Sequence, residues 1–424
     1  MKKGVAFLLA AGLALAVAAP ASATPPSSDT KTDAQDAAAW LAHQVNASGF
    51  IPSATNPSLP NYSESAQAVT ALVSAGVGRT TVAALLAYLG GHVDDFVASP
   101  GSDDPGDLAY LILAAKAGGQ DPASFGSAHV DLVARLEATQ QASGLFGASD
   151  PTFDGAFRQG LSLLALHSAG ATNTAGVTWL ESQQCVDGSW TAFRADTSVA
   201  CAPVDPATFS GPDTNSTALA VTGLQAQGDS TAASKGVTAL DAVRNAGGGW
   251  GFLSRGDQAT DANSTGLVLA ALRTATGHVD GPGLSALLAL QVGCTGPVAD
   301  RGGIAFQPGT GGKLVPDAFA TVQAIPAVAR VELPVAASAT TPGVPTPCAA
   351  PVTTTVPETG TTVRDTGTTV RDTGSTDATT VAPETVAAEA ELPRTGSSSA
   401  PVAFVGVLIL AVGAAFVAGA RRRR

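Results

Sequence analysis

Several acids and amides stand where side chains could do chemistry. The chain reads "DTNST" at Asp213–Thr217 and "DANST" at Asp261–Thr265, each directly before an apolar run. Asp104 and Asp107 open "DDPGDLAYLILAAK", Asp154 and Arg158 open "DGAFRQGLSLLAL", and Tyr62 and Glu64 open "NYSESAQAVTALV". Paired carboxylates can donate and accept protons around a glycosidic bond. Asn with Tyr, His and Arg in a groove could act on a polysaccharide in another way. The plainer role is structural: Asp, Asn, Ser and Thr accept the orphan N–H groups at a helix start. An acid in the first turn also complements the helix dipole. Arg158 beside Gln159 is a polar insertion into an apolar helix, explained most simply by an ion pair with a neighbouring Asp.

Other chemistry finds less support. The histidines are His43, His92, His129, His167 and His278, with no partner spacing to a cysteine and no C-x-x-C, so no metal site is expected. No G-x-S-x-G elbow occurs. No cofactor is expected. The net charge of −12 argues against nucleic acid as a partner.

The elements that must position these residues repeat along the chain. "WLESQQCVDGSW" places Leu180, Gln184, Gly188 and Trp190 at a spacing that recurs as Leu136, Gln140, Gly144 and Phe146. It recurs again as Leu240, Arg244, Gly248 and Trp250, and in shortened form as Leu41 to Phe50. In this L-x-x-x-Q-x-x-x-G-x-[WF] unit a helix carries the Leu, and the Gly is expected to end that helix. The aromatic packs back over the helix end, and Gln bonds free backbone groups there. Trp190 and Trp250 could alternatively stack on a sugar. A polar linker and a second apolar helix follow each unit, which predicts six helix pairs at roughly 46–60 residues each.

The Q-x-x-x-G-x-W unit resembles the QW motif of squalene and terpene cyclases. That resemblance covers residues 35–330 and implies an all-α fold, the (α/α)6 toroid of six helix-pair repeats. Protein prenyltransferase β subunits and complement thioester domains share it. In such a toroid the second helix of each pair lines an inner barrel and opens its N-terminus at one face. The resemblance therefore places Tyr62, Glu64, Asp104, Asp107, Asp154, Arg158, Asp213, Asn215, Asp261, Asn263 and Asp317 near that mouth. Class II cyclases of this family carry D-x-D-D-T-A, whose middle acid donates a proton. Here "DTNSTA" matches with Asp213 at the first acid, Asn215 at the donor and Ser216 at the next. An amide cannot protonate an alkene. With 4 Trp and 3 Tyr, the chain also has few aromatic faces for a carbocation. The zinc set of the prenyltransferases and the Cys-Gly-Glu-Gln thioester are missing. The toroid is therefore expected to bind a small molecule, glycan or protein without catalysis. A surface enzyme acting on polysaccharide or lipid is the alternative, and terpene cyclisation the least favoured.

Both ends of the chain carry further signals. Residues 1–23 show two lysines, an apolar stretch and "ASA", the layout of a secretory signal peptide. Residues 392–424 resemble the LPxTG cell-wall sorting signal of Gram-positive surface proteins. They run Leu392, Pro393, Thr395 and Gly396, then an uncharged span at 402–420 expected to cross the membrane as one transmembrane helix, then four arginines. The resemblance implies cleavage by a sortase between Thr395 and Gly396 and attachment of Thr395 to peptidoglycan. The membrane would be a partner only before sorting, and the destination would be the cell-wall surface. Removing both ends takes away six positive charges and no acid, moving the net charge from −12 to −18. Residues 24–335 are then the toroid. Residues 336–391, with "TTVPETG" and two "TTVRDTG" copies, read as a disordered Thr/Pro-rich stalk. In an exported chain the four cysteines are expected to form disulfides. Cys185 and Cys201 flank one loop, and their bridge would contribute about 3 kcal/mol. Cys294 with Cys348 would pin the end of the domain.

Overall fold

The computed structural model describes residues 30–99, 102–147 and 155–348. Asp154, the signal segment 1–23, the bulk of the stalk and the sorting segment 392–424 lie outside the described residues. Among the described residues no helix is long and apolar enough to cross a membrane.

Among the described residues, thirteen α-helices run α1 (Thr30–Ala42), α2 (Tyr62–Ala75), α3 (Arg79–Gly91), α4 (Val93–Val97), α5 (Pro105–Ala117), α6 (Leu132–Ala138) and α7 (Ala156–Ser168). They continue with α8 (Thr174–Ser182), α9 (Thr214–Ala226), α10 (Ser230–Ala242), α11 (Ala262–Thr276), α12 (Gly281–Leu288) and α13 (Ala318–Val328). A two-residue antiparallel ladder pairs Ala98 with Asp103 and Ser99 with Ser102.

Six helices form a closed inner ring: α2, α5, α7, α9, α11 and α13 pack on one another in that order, and α13 packs back on α2. The partner helices lie outside, α3 against α2, α6 against α5, α8 against α7, α10 against α9 and α12 against α11. The first helix, α1, sits outside the α13–α2 seam. Inner helices are apolar on nearly every side because both the barrel axis and the outer layer cover them. In α9, Ala218, Ala220, Val221 and Leu224 are all fully buried. Gly160 of α7 and Gly223 of α9 stand at a close approach of the two backbones. A Cβ on Gly223 would lie 2.4 Å from the Gly160 carbonyl oxygen.

The repeated unit joins one pair to the next. Gln184 donates to the carbonyls of Gly188 and of Ala232 in the first turn of α10. Gln140 does the same to Gly144 and to Asn173, the cap of α8. Gln291 closes the circle, bonding Gly302 and the Asp33 carbonyl in α1. Where Arg244 replaces Gln, it bonds the Gly248 carbonyl and Asp280, the cap of α12, and lies over the Trp250 ring at 4.4 Å. The glycine does not end the helix, contrary to expectation. The outer helix α8 stops at Ser182, with Gln183 as its cap, before Gly188 is reached. Gly188 has φ +90°, and a Cβ there would stand 2.4 Å from the Lys235 carbonyl oxygen of α10. The glycine is required by a turn that presses on the next outer helix.

Both disulfides pair as expected, Cys185 with Cys201 and Cys294 with Cys348. The residues from 336 to 348, where the stalk was expected to begin, are bonded to the helical body. The N–H groups of Gly78, Arg79 and Thr80 donate to the carbonyls of Gly343, Thr341 and Pro342, and Thr341 donates to Gly76. Cys348 donates its N–H to the Asp36 carboxylate.

Candidate functional site

Five residues singled out in the sequence share one open pocket of about 370 Å³ at the N-terminal ends of α5, α7 and α9: Asp104, Asp107, Arg158, Asp213 and Asn215. Asp104 caps α5 by accepting the N–H groups of Gly106 and Asp107 at 2.8 and 3.1 Å. Its other oxygen meets the Arg158 guanidinium at 2.7 Å, so the arginine ties α7 to α5. This is the ion pair that a polar insertion into an apolar helix implied. Gln159 beside it is fully buried and bonds Phe146, Gly144 and Gly176.

Asp107 stands in the first turn of α5. Burial, and then the nearby Asp104 carboxylate, push its acid strength down so that its pKa rises to about 7. Arg158 and a 3.3 Å hydrogen bond from Ser63 act in the opposite direction. Asp213 caps α9, accepting the Ser216 N–H at 2.6 Å. Burial raises it to about 6, against the hydrogen bonds from Ser216 and Asn215. Thus two carboxyl groups in one pocket lining exchange protons near neutral pH. Tyr110, Phe157 and Phe252 add aromatic wall. Sequence reasoning missed these three; the apolar pattern hides them, because a core aromatic and a pocket aromatic look alike in one dimension.

Among the described residues, the other expected mouth residues do not line this pocket. Tyr62 stacks within a cluster, 5.3 Å from Phe96 and 6.2 Å from Tyr88, and burial pushes its hydroxyl up to about 12. Glu64 is raised to about 7 by burial and then by Asp317, the cap of α13. Asp261 is buried and caps α11 through the Ser264 N–H at 2.7 Å; burial raises it to about 6. Asn263 is buried and donates to Gln323 of α13 at 2.9 Å. The two "D-x-N-S-T" copies therefore share a cap but not a role. Asn215 borders the pocket, whereas Asn263 is consumed by a helix–helix bond.

The Thr of each copy has a function that sequence reasoning also missed. The hydroxyl of Thr217 accepts the Trp190 N–H at 3.0 Å, and that of Thr265 accepts the Trp250 N–H at 3.1 Å. Thr321 does the same for Ile304, and Ser65 for Ile51. The signal was present: a hydroxyl four residues after the capping Asp or Asn. Trp190 and Trp250 are fully buried and donate their indole N–H to the Leu180 and Leu240 carbonyls. They are packing residues with no face for a sugar. Asp36, Cys294 and Cys348 approach one another, but both sulfurs are spent in the disulfide, and thiolates are what such a metal site would need.

No family model matches the chain, and no curated protein matches it. Solved structures do. An unsaturated glucuronyl hydrolase specific for heparin matches at TM-score 0.50 and 13% identity, over 71% of this chain and 96% of that one. A type II terpene cyclase from Scytonema, in complex with geranylgeranyl dihydroxybenzoate, matches at TM-score 0.48 and 13% identity over 71% and 97%. The apo form of that cyclase matches at TM-score 0.47 and 13% identity over 71% and 98%. With the closed ring of helix pairs, the hydrolase likeness defines the class: this chain is an α/α-toroid protein. At this identity the likeness concerns the fold alone.

Proposed function

We propose that the toroid mouth binds a short glycan built from neutral or amino sugars. The observation that carries this reading is the pocket itself, whose lining joins three carboxyl groups, an amide and a guanidinium to three aromatic rings. About 370 Å³ is within the range of small-molecule sites. Sugars suit such a lining, since their hydroxyls need donors and acceptors and their ring faces are apolar. Arg158 pairs with Asp104 and also acts on Asp107, so among the described lining residues three carboxyl groups face one guanidinium. A uronate would meet repulsion there; an uncharged or basic sugar would not. Terpene cyclisation fits poorly, because the wall residue at the cyclase donor position is the amide of Asn215.

The test is calorimetric titration with N-acetylglucosamine and maltose oligomers and with a uronate disaccharide. Binding of a neutral or amino-sugar oligomer, lowered tenfold or more by Asp107→Asn and Phe157→Ala, is expected. Tighter binding of the uronate, or variants that bind as well as the wild type, would refute the reading.

One observation favours hydrolysis as a second reading: Asp107 at about 7 and Asp213 at about 6 share the wall of an open pocket. One of the two would be protonated while the other is ionised, the arrangement that general acid–base chemistry needs. Release of reducing ends that disappears in Asp107→Asn would establish it, and intact oligomers after prolonged incubation would exclude it.

The terminal segments extend the proposal to the cell surface. A sortase would join Thr395 to peptidoglycan, and the stalk would carry the toroid outward. Thr395→Ala should release the protein from the wall; persistent covalent attachment would overturn this.

A further inference from the structure

The pocket wall does not stop at Phe252. Its ring stacks on Phe209, with centroids 5.6 Å apart and planes 13° from parallel. Phe209 is 50% exposed, so an aromatic ring stands in water beside the pocket. It does so at some conformational cost. Its φ is +55°, in the left-handed region where a residue with a bulky side chain is strained.

The surrounding turn holds that conformation. Asp205 and Ser210 exchange two backbone hydrogen bonds across it. The Asp205 carboxylate accepts the Ala207 N–H at 2.9 Å and the Thr208 hydroxyl at 2.7 Å. The loop is fastened at one end by the Cys185–Cys201 bridge and at the other by Asp213, whose N–H bonds the Trp190 carbonyl. An exposed Phe in a strained, fastened turn, continuous with an aromatic pocket wall, has the features of a built contact surface.

We infer that Phe209 and Phe252 form a ledge that stacks a second sugar ring of the glycan whose first unit occupies the pocket. This inference deepens the glycan reading and rests on it. The ligand class becomes an oligomer of at least two units, held by polar contacts inside and by ring-face stacking at the ledge. A flat phenyl pair offers no hydrogen bond and no charge, so the second unit is recognised by its apolar face rather than by its hydroxyl pattern.

The test uses the full chain with N-acetylglucosamine and its tetramer as probes, measured by titration calorimetry. The wild type should bind the tetramer more tightly than the monomer. Phe209→Ala should weaken the tetramer by about 3- to 10-fold and leave the monomer unchanged. Phe209→Trp, which restores a larger ring, should recover the tetramer affinity. Equal affinities for monomer and tetramer, with no effect of Phe209→Ala, would overturn the ledge and leave the pocket standing. Equal weakening of both probes by Phe209→Ala would also overturn it, by showing a general disturbance of the loop. Binding of neither probe to the wild type would overturn pocket and ledge together.

Discussion

Replacing Asp213 by Asn should stabilise the toroid at neutral pH and much less at acid pH. Asp213 is only 4% exposed, and burial lifts its carboxyl from an ordinary 3.8 to about 6. Between those values the folded chain keeps a proton that the unfolded chain has already released. The stability this proton contributes is complete below about pH 3.8 and is lost as pH rises through about 6. At 1.36 kcal/mol per pH unit of difference, the loss is about 3 kcal/mol at pH 7.5 and about 1 kcal/mol at pH 4.5. An amide keeps the acceptor that caps Ser216 and has no charge to bury. The variant should therefore gain about 2 kcal/mol more over the wild type at pH 7.5 than at pH 4.5, or roughly 4 °C in Tm. Thermal melts followed by circular dichroism at the two pH values read this directly. A gain that is the same at both, or a variant less stable than the wild type at pH 7.5, would refute the assignment of a carboxyl burdened by burial. Because Asp213 borders the pocket, the same protein also reports whether its ionisable group matters to ligand binding.

Three further outcomes follow from the geometry of the ring. Gly188→Ala places a Cβ 2.4 Å from the Lys235 carbonyl oxygen at a φ of +90°, and should lower stability by at least about 2 kcal/mol in a urea titration. Gln291→Ala removes its hydrogen bonds to the Asp33 carbonyl of α1 and to the Gly302 carbonyl; a cost of about 1–2 kcal/mol is expected, with faster amide exchange concentrated in α1. Cys348→Ser opens a bridge between residues 54 apart and should cost about 4 kcal/mol, with proteolysis beginning in residues 336–348.

Much of this architecture was legible because its causes are local. A capping Asp or Asn before an apolar run specifies a helix start, and Asn61, Asp104, Asp213, Asp261 and Asp317 all cap inner helices. The Leu, Gln, Gly and aromatic spacing marks the joint between pairs, since each unit must reach the same partners on its neighbour. The exact use of the glycine was misjudged, because a close approach to another helix leaves the same residue type as a helix end. The disulfide partners were legible from their placement at a loop and at the end of the domain.

The role of the site residues was a different matter. Asp213–Thr217 and Asp261–Thr265 differ at a single position, Thr214 against Ala262, yet one borders a pocket and the other is sealed. What separates them is the neighbour across the ring. Gln323 of α13 reaches Asn263, while Asn215 borders a space that Arg158, Asp107 and Phe252 surround. The acid strengths of Asp107 and Asp213 have the same origin, since burial is their largest cause and burial is a property of the assembled ring. The sequence by itself determined the helices, their caps and the repeat that joins them, because those depend on contacts within a few residues or one repeat. Only the closed tertiary structure decided which acids meet, which amide borders open space and which aromatic ring stands in water, because those depend on residues brought together from separate repeats.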